Sequence, residues 1–173
     1  MKDWLFKKPG RVRMLLNLWP PFFFTGIKIV RISDDYRYCK VKLKNWPGTR
    51  NANGTQFGGS LFAMTDPIYS LMFMGILGSR YYVWDKAAHI DFINPGVGEV
   101  YVECTIDDDM LQKIKEGTAG GDKYFPEVNN IIYDKKGNTV ASLTRTLYIR
   151  LKKPFRPDAL KPRDEKVSQE STD

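Results

Sequence analysis

Histidine and cysteine are nearly absent: His89 is the only histidine, and Cys39 and Cys104 are the only cysteines. Two cysteines cannot build a disulfide framework, and both fall in strand-like segments where a free thiol serves as a small apolar group. A reducing, cytoplasmic setting is therefore expected. No Cys, His or carboxylate cluster occurs at ligand spacing, so a zinc site or a Ser-His-Asp site would rest on one histidine. Neither a metal nor a resident cofactor is expected. Internal repeats are missing as well. The N-terminal stretch has basic residues followed by the apolar run Met14 to Trp19, but Pro20 and Pro21 stop it and no small-residue cleavage site follows. A signal peptide is not expected.

What is present suits one soluble globular domain. The chain has 173 residues, 42% of them hydrophobic and 27% charged, enough for one proper core and too few for two. The net charge of +7 is uneven: residues 1–50 hold 12 Lys and Arg against 3 Asp and Glu, and residues 51–173 hold 15 against 17. A basic first third suggests an anionic partner, or simply a solvated basic face. Residues 1–24 read as a basic, amphipathic helical segment with apolar positions at Leu15, Leu18 and Trp19. Packing of these on the domain is expected rather than contact with a membrane surface.

Strand patterns begin after Gly26. Ile27 to Ile32 is rich in β-branched residues, and Tyr36 to Lys44 alternates Cys39, Val41 and Leu43 against Lys40, Lys42 and Lys44. A polar loop, Thr49 to Thr55, leads into Phe57 to Gly78, apolar on every side and ended by Gly75 and Gly78. Such a helix is long enough to cross a membrane. Asp66-Pro67 and Gly58-Gly59 would be costly in lipid, so it reads as a core helix. Tyr81 to Asn94, Glu99 to Ile106, Tyr124 to Tyr133 and Thr139 to Leu151 read as four further strands. A short helix starts at Asp107 to Asp109, and Asp134 to Asn138 makes a hairpin turn. Residues 152–173 read as a charged, extended tail. The expected class is α+β: a curved antiparallel sheet of about six strands wrapped around one long central helix. A single curled sheet has free edges, which favours pairing with a second copy.

The stretch Asn51-x-x-Gly54-Thr55-x-x-Gly58-Gly59-x6-Asp66 resembles the signature of hot-dog-fold acyl-CoA thioesterases of the phenylacetyl-CoA thioesterase type. The similarity runs on through Ala88 to Pro95, Gly98, Asp134, Gly137 and Ala141, covering residues 25–151 as the hot-dog domain. The resemblance implies an oxyanion contact at Gly58, a nucleophile or general base at Asp66, and a water-orienting role for Asn51. It also implies a homodimer or homotetramer in which the helix start of one subunit faces the carboxylate of another. Phe57 stands where many relatives have a histidine. A backbone donor would survive that change, and so would a protein that binds acyl groups without cleaving them.

The expected partner is an acyl-CoA, with coenzyme A present only as part of the substrate. Phe57 and Gly59 are candidates for contact with the substrate. Lys40, Lys42 and Arg80, with Lys44 and Arg50, are candidates for the phosphates. Nucleic-acid binding is not expected, since no recognised motif supports it. Each site residue keeps a plainer alternative. Asp66 before Pro67 reads as a helix N-cap, Gly58-Gly59 as a close-packing pair and Asn51 as a turn residue. Met64, Met72, Phe73 and Met74 read as core or as an acyl tunnel. His89 and Asp91 share a strand face, where a structural or surface role is expected.

Overall fold

In the computed structural model, residues 2–157 are described, with side chains from Trp4 onward. Three short helices come first: α1 (Lys2–Phe6), α2 (Pro9–Leu18) and α3 (Pro20–Thr25). Pro9 and Pro20 each open a helix, where a missing N–H costs nothing. Strands β1 (Ile27–Ile32) and β2 (Tyr38–Leu43) form a hairpin, followed by the helical pieces α4 (Gly58–Ala63) and α5 (Ile68–Leu77). Then come β3 (Tyr81–Phe92), β4 (Val100–Thr105), α6 (Asp108–Thr118), β5 (Glu127–Asp134) and β6 (Thr139–Leu151). Six strands join in one sheet in the order β1-β2-β4-β5-β6-β3, every pair antiparallel. Of the tail expected over 152–173, only residues 152–157 are described, including a 3-10 turn at Lys153–Phe155; the rest lies outside the described residues.

Strand alternation places the core. Cys39, Val41 and Leu43 of β2 face Val100, Val102 and Cys104 of β4 across the register, all buried. From the concave side, α5 presses Ile68, Tyr69, Met72 and Phe73 onto this surface. Both thiols are free and buried, and burial pushes that of Cys39 up to about 12, so they act as apolar filler. A sheet curled around one central helical run is the hot-dog fold.

Two local differences from the sequence reading have clear causes. Tyr36 belongs to the turn before β2, at φ 60°, because its ring inserts against Gly75 and its hydroxyl donates to the Phe6 carbonyl at 2.9 Å. Gly75 consequently lies inside α5 and does not end it; Gly78 does, at φ 69°. Gly117, within α6, has the Tyr124 ring in the place of its missing Cβ. Gly75→Ala tests the first of these. Alanine gains about 1 kcal/mol of helix propensity, but its Cβ would lie 2.4 Å from a buried, tethered Tyr36 ring. Overpacking of about 1–3 kcal/mol should win, leaving a net loss of up to about 2 kcal/mol in urea unfolding.

The N-terminal segment departs further. α2 packs on β1 through Val12 and partly buried Leu16, and α3 through Phe22. Leu15, Leu18 and Trp19, expected to pack inward, are exposed. Val12 and Leu16 are four apart and share one helix face; Leu15 and Leu18 lie off that face.

Candidate active site

The central helix is broken where its sequence demands it. Proline cannot donate to a helical bond and disfavours helical geometry in the residue before it. α4 therefore ends at Ala63, residues 64–67 form a turn, and α5 starts after Pro67, with the Asp66-Pro67 peptide cis. The N-cap of α5 is Pro67, with no side-chain cap bond. Asp66 is therefore not the N-cap that the Asp-Pro pair suggests. Its carboxylate turns instead toward β6.

There it meets a buried cation. Arg145 of β6 has a side chain only 3% exposed, and its Nη1 donates to Asp85 Oδ2 at 2.7 Å and to Asp66 Oδ1 at 3.3 Å. Nη2 donates to Thr65 Oγ1 at 2.9 Å and to the Phe62 carbonyl at 3.4 Å, so the fork holds the end of α4 and the turn that follows it. Nε is buried without a partner. Ser70 of α5 donates to the second Asp85 oxygen. Two carboxylates thus share one guanidinium. Asp85 is mostly covered, whereas Asp66 opens to the surface with 52% of its side chain exposed.

Despite that opening, the inner side of Asp66 borders the buried cluster, and its pKa is raised. Desolvation is the first cause and a hydrogen bond with Asp85 the second, with Arg145 pulling the other way. A carboxyl held above its ordinary range beside another carboxylate is a recurrent arrangement for acid–base chemistry.

Asp85 and Arg145 were not singled out from the sequence, yet a signal existed. Along β6 the inward residues are Leu143, Arg145, Leu147 and Ile149, so a cation interrupts an apolar face. On β3 the register with β6 shifts between Asp85 and Ala87, so Lys86 is left unpaired directly after Asp85. Bulges concentrate beside functional sites because they re-aim a side chain.

At the other end of α4, a cleft of about 340 Å³ is lined by Asn51, Gln56, Gly58, Leu61, Phe92 and Asn94 among others. Gly58 and Gly59 begin the helix, where no carbonyl precedes them at the right spacing, and their N–H groups have no acceptor among the described residues. Aromatic rings occupy the space above both glycines. A Cβ on Gly58 would lie 3.0 Å from the Phe92 ring, and one on Gly59 would lie 2.3 Å from the ring of exposed Phe57. The glycine pair thus answers a packing need as well as exposing donors. Asn51 lines the cleft but spends its side chain on the loop: Oδ1 accepts from the Asn53 and Thr55 N–H groups and Nδ2 donates to Thr55 Oγ1. Asp66 does not line this cleft.

The basic candidates lie elsewhere. On the outer face of β2, Lys40 pairs with Glu103 at 2.9 Å and Lys42 with Glu99 at 2.8 Å, so both charges are already met. Arg80 stands at the far end of the helical run, over the Phe155 ring. Arg50 donates to Asn45, and Lys44 lies over the Trp46 ring. None of the five lines the Gly58 cleft. His89 and Asp91 touch at 3.1 Å on exposed surface. Met64, Met72 and Phe73 are fully buried core.

Residues 10–149 match the model of a family described as domain of unknown function DUF4442. The chain belongs to the DUF4442 family. No curated protein matches this DUF4442 chain. Solved structures do. A Pseudomonas aeruginosa protein of unknown function, described as a probable thioesterase, superposes with a TM-score of 0.75 at 20% identity, over 83% of this chain and 97% of that one. A thioesterase from Haemophilus influenzae gives 0.63 at 15% identity, over 92% and 99%. The PaaI protein of the phenylacetic acid degradation operon of E. coli gives 0.54 at 17% identity, over 76% and 84%. At these identities the likeness is one of fold, and it places this DUF4442 chain among hot-dog proteins.

Proposed function

We propose that this DUF4442 protein hydrolyses acyl thioesters, with coenzyme A as the thiol carrier and Asp66 as general base. The observation that carries the reading is the Asp66 carboxylate: surface-open, raised in pKa, and held by Arg145 against Asp85. In the proposed step Asp66 takes a proton from water as the water oxygen attacks the thioester carbon. The resulting oxyanion accepts from the free N–H groups of Gly58 and Gly59. Collapse breaks the C–S bond, and the departing thiolate takes back the proton held on Asp66.

One chain cannot bring these parts together. Gly58 opens α4, Asp66 lies in the turn beyond its other end, and Asp66 does not line the Gly58 cleft. The reading therefore takes the glycines from one copy and the carboxylate from another. Supporting it, β3 is a 12-residue strand at the edge of the sheet, most of its residues at least partly exposed. A long unpaired edge invites pairing with a second copy about a two-fold axis.

Thiol release from acyl-CoAs of graded chain length tests the proposal. The base must be ionised to act, and its pKa is raised. The acid limb of kcat/KM should consequently lie above the range of an ordinary aspartate, with activity rising as pH climbs through it. A limb at the ordinary aspartate position would argue against Asp66 as the base. A second reading, acyl-CoA binding without turnover, is favoured by the Phe57 and Phe92 rings over the two glycines. It predicts that acyl-CoA raises the melting temperature while no thiol appears.

A further inference from the structure

The helices that precede the sheet leave their aromatic side outward. Met14, Leu15, Leu18, Trp19, Phe23 and Phe24 are all exposed, Leu18 at 64% and Phe24 at 72%. Single exposed apolar residues need no explanation, but six within 11 positions, on α2, α3 and the Trp19 joint between them, make a patch that water covers poorly. Charge of one sign surrounds it. Residues 4–33 contain no Asp or Glu and carry Lys7, Lys8, Arg11, Arg13, Lys28 and Arg31.

Two grooves flank Leu18. One, of about 450 Å³, brings Arg13, Lys28 and Lys44 together with Met14, Leu18 and Phe23. The other, of about 460 Å³, is lined by Leu15, Leu16, Leu18, Trp19, Pro67 and Leu71, apolar throughout. Cations beside exposed aromatic and aliphatic residues match the two faces of a lipid monolayer, phosphate outside and acyl chain within. The patch also stays open in the dimer proposed above. α2 and α3 pack beside β1, and β1 is the opposite edge of the sheet from β3.

We infer that the α2–α3 face docks this protein on an anionic phospholipid bilayer, with Leu18, Trp19, Phe23 and Phe24 entering the acyl boundary and Arg13, Lys28 and Lys44 meeting lipid phosphates. The anionic character of the lipid follows from charge complementarity. The apolar groove runs from this face to Pro67, the residue after Asp66, so a docked molecule holds the Asp66 region close to the lipid. This inference does not depend on thioester hydrolysis, and its test does not measure turnover.

Sedimentation of the full chain with vesicles tests it, using phosphatidylglycerol mixed equally with phosphatidylcholine against phosphatidylcholine alone. The protein should pellet with the anionic vesicles, much less with the neutral ones, and less at roughly 1 M salt, where screening reaches about 3 Å. Leu18→Ser combined with Phe24→Ser should lower vesicle affinity about tenfold or more. Lys28→Glu should lower it about fivefold or more. All three side chains are outside the core, so circular dichroism and melting temperature should match wild type. No pelleting, equal pelleting with both vesicles, or wild-type affinity in the double variant would overturn the inference. So would a fall in oligomeric mass of the double variant without vesicles, because a second copy would then be what covers the face.

Discussion

Arg145→Leu is expected to destabilise this protein by about 3–5 kcal/mol, the usual cost of removing one partner of a buried ion pair. At about 2–4 °C per kcal/mol for a chain of this size, the melting temperature should fall by roughly 10 °C. The cause is what the substitution leaves behind. Asp85 keeps its covered position with only the Ser70 hydroxyl, Thr65 Oγ1 loses a donor, and the turn between α4 and α5 loses the fork that bridges Phe62, Thr65 and Asp66. Arg145→Lys should recover little, since one ammonium cannot reproduce a planar two-nitrogen fork aimed at four acceptors. Arg145→Leu combined with Asp85→Leu should recover most of the loss, because replacing a whole buried pair with apolar groups is often neutral. Urea unfolding of the three variants checks this. Equal stability of Arg145→Leu and wild type would mean that the cluster does not hold the helix break.

For Asp66→Asn the expectation is the reverse, with activity lost and stability kept. Removing a general base costs about 100-fold to 10,000-fold in kcat, while asparagine retains an oxygen for Arg145 Nη1. The stability sign follows from the raised pKa. The folded protein holds the Asp66 proton more tightly than the unfolded chain does, so the contribution of this group is greatest below the unfolded pKa of 3.8 and declines as pH rises through the folded value. At neutral pH the wild type carries that loss and the variant does not. Asp66→Asn should therefore melt no lower than wild type at neutral pH, with a flatter pH dependence above 3.8. A variant that is inactive and also strongly destabilised would point to a structural role for Asp66. A variant that keeps full turnover would remove it from the mechanism.

Most of the fold was legible because it is written in short-range patterns. Alternation in β2, the Asp134 turn and the acidic first turn of α6 each depend on neighbours a few residues away, and each forms where the pattern places it. The all-round apolar run from Phe57 to Gly78 reads as a core helix, and α5 buries Ile68, Tyr69, Met72 and Phe73 against the sheet. Its interruption was half legible: Pro67 announced a break, but whether Asp66 would cap the next piece depended on what stood across from it.

The residues that complete the candidate site come from sequence positions far apart. Arg145 lies 79 residues from Asp66 and 60 from Asp85. A charged residue on an inward strand position has no local partner to announce it, and only sheet registration shows that its acceptors converge. The same holds for Phe92 over Gly58, where a ring from the end of β3 gives a helix-start glycine a second reason to exist. The basic residues show the converse. Lys40 and Lys42 look like free cations along β2, and Glu103 of β4 and Glu99 just before it pair with them.

By itself, then, the sequence determined the strands, the buried helix and the place of its break, since these follow from side-chain period and from the backbone chemistry of proline and glycine. Tertiary structure alone decided that Asp66 faces a shared guanidinium and that the first helices pack through Val12 and Leu16 with their aromatic side outward. Both outcomes turn on which distant surfaces meet, and burial, pairing and desolvation act only after they have met.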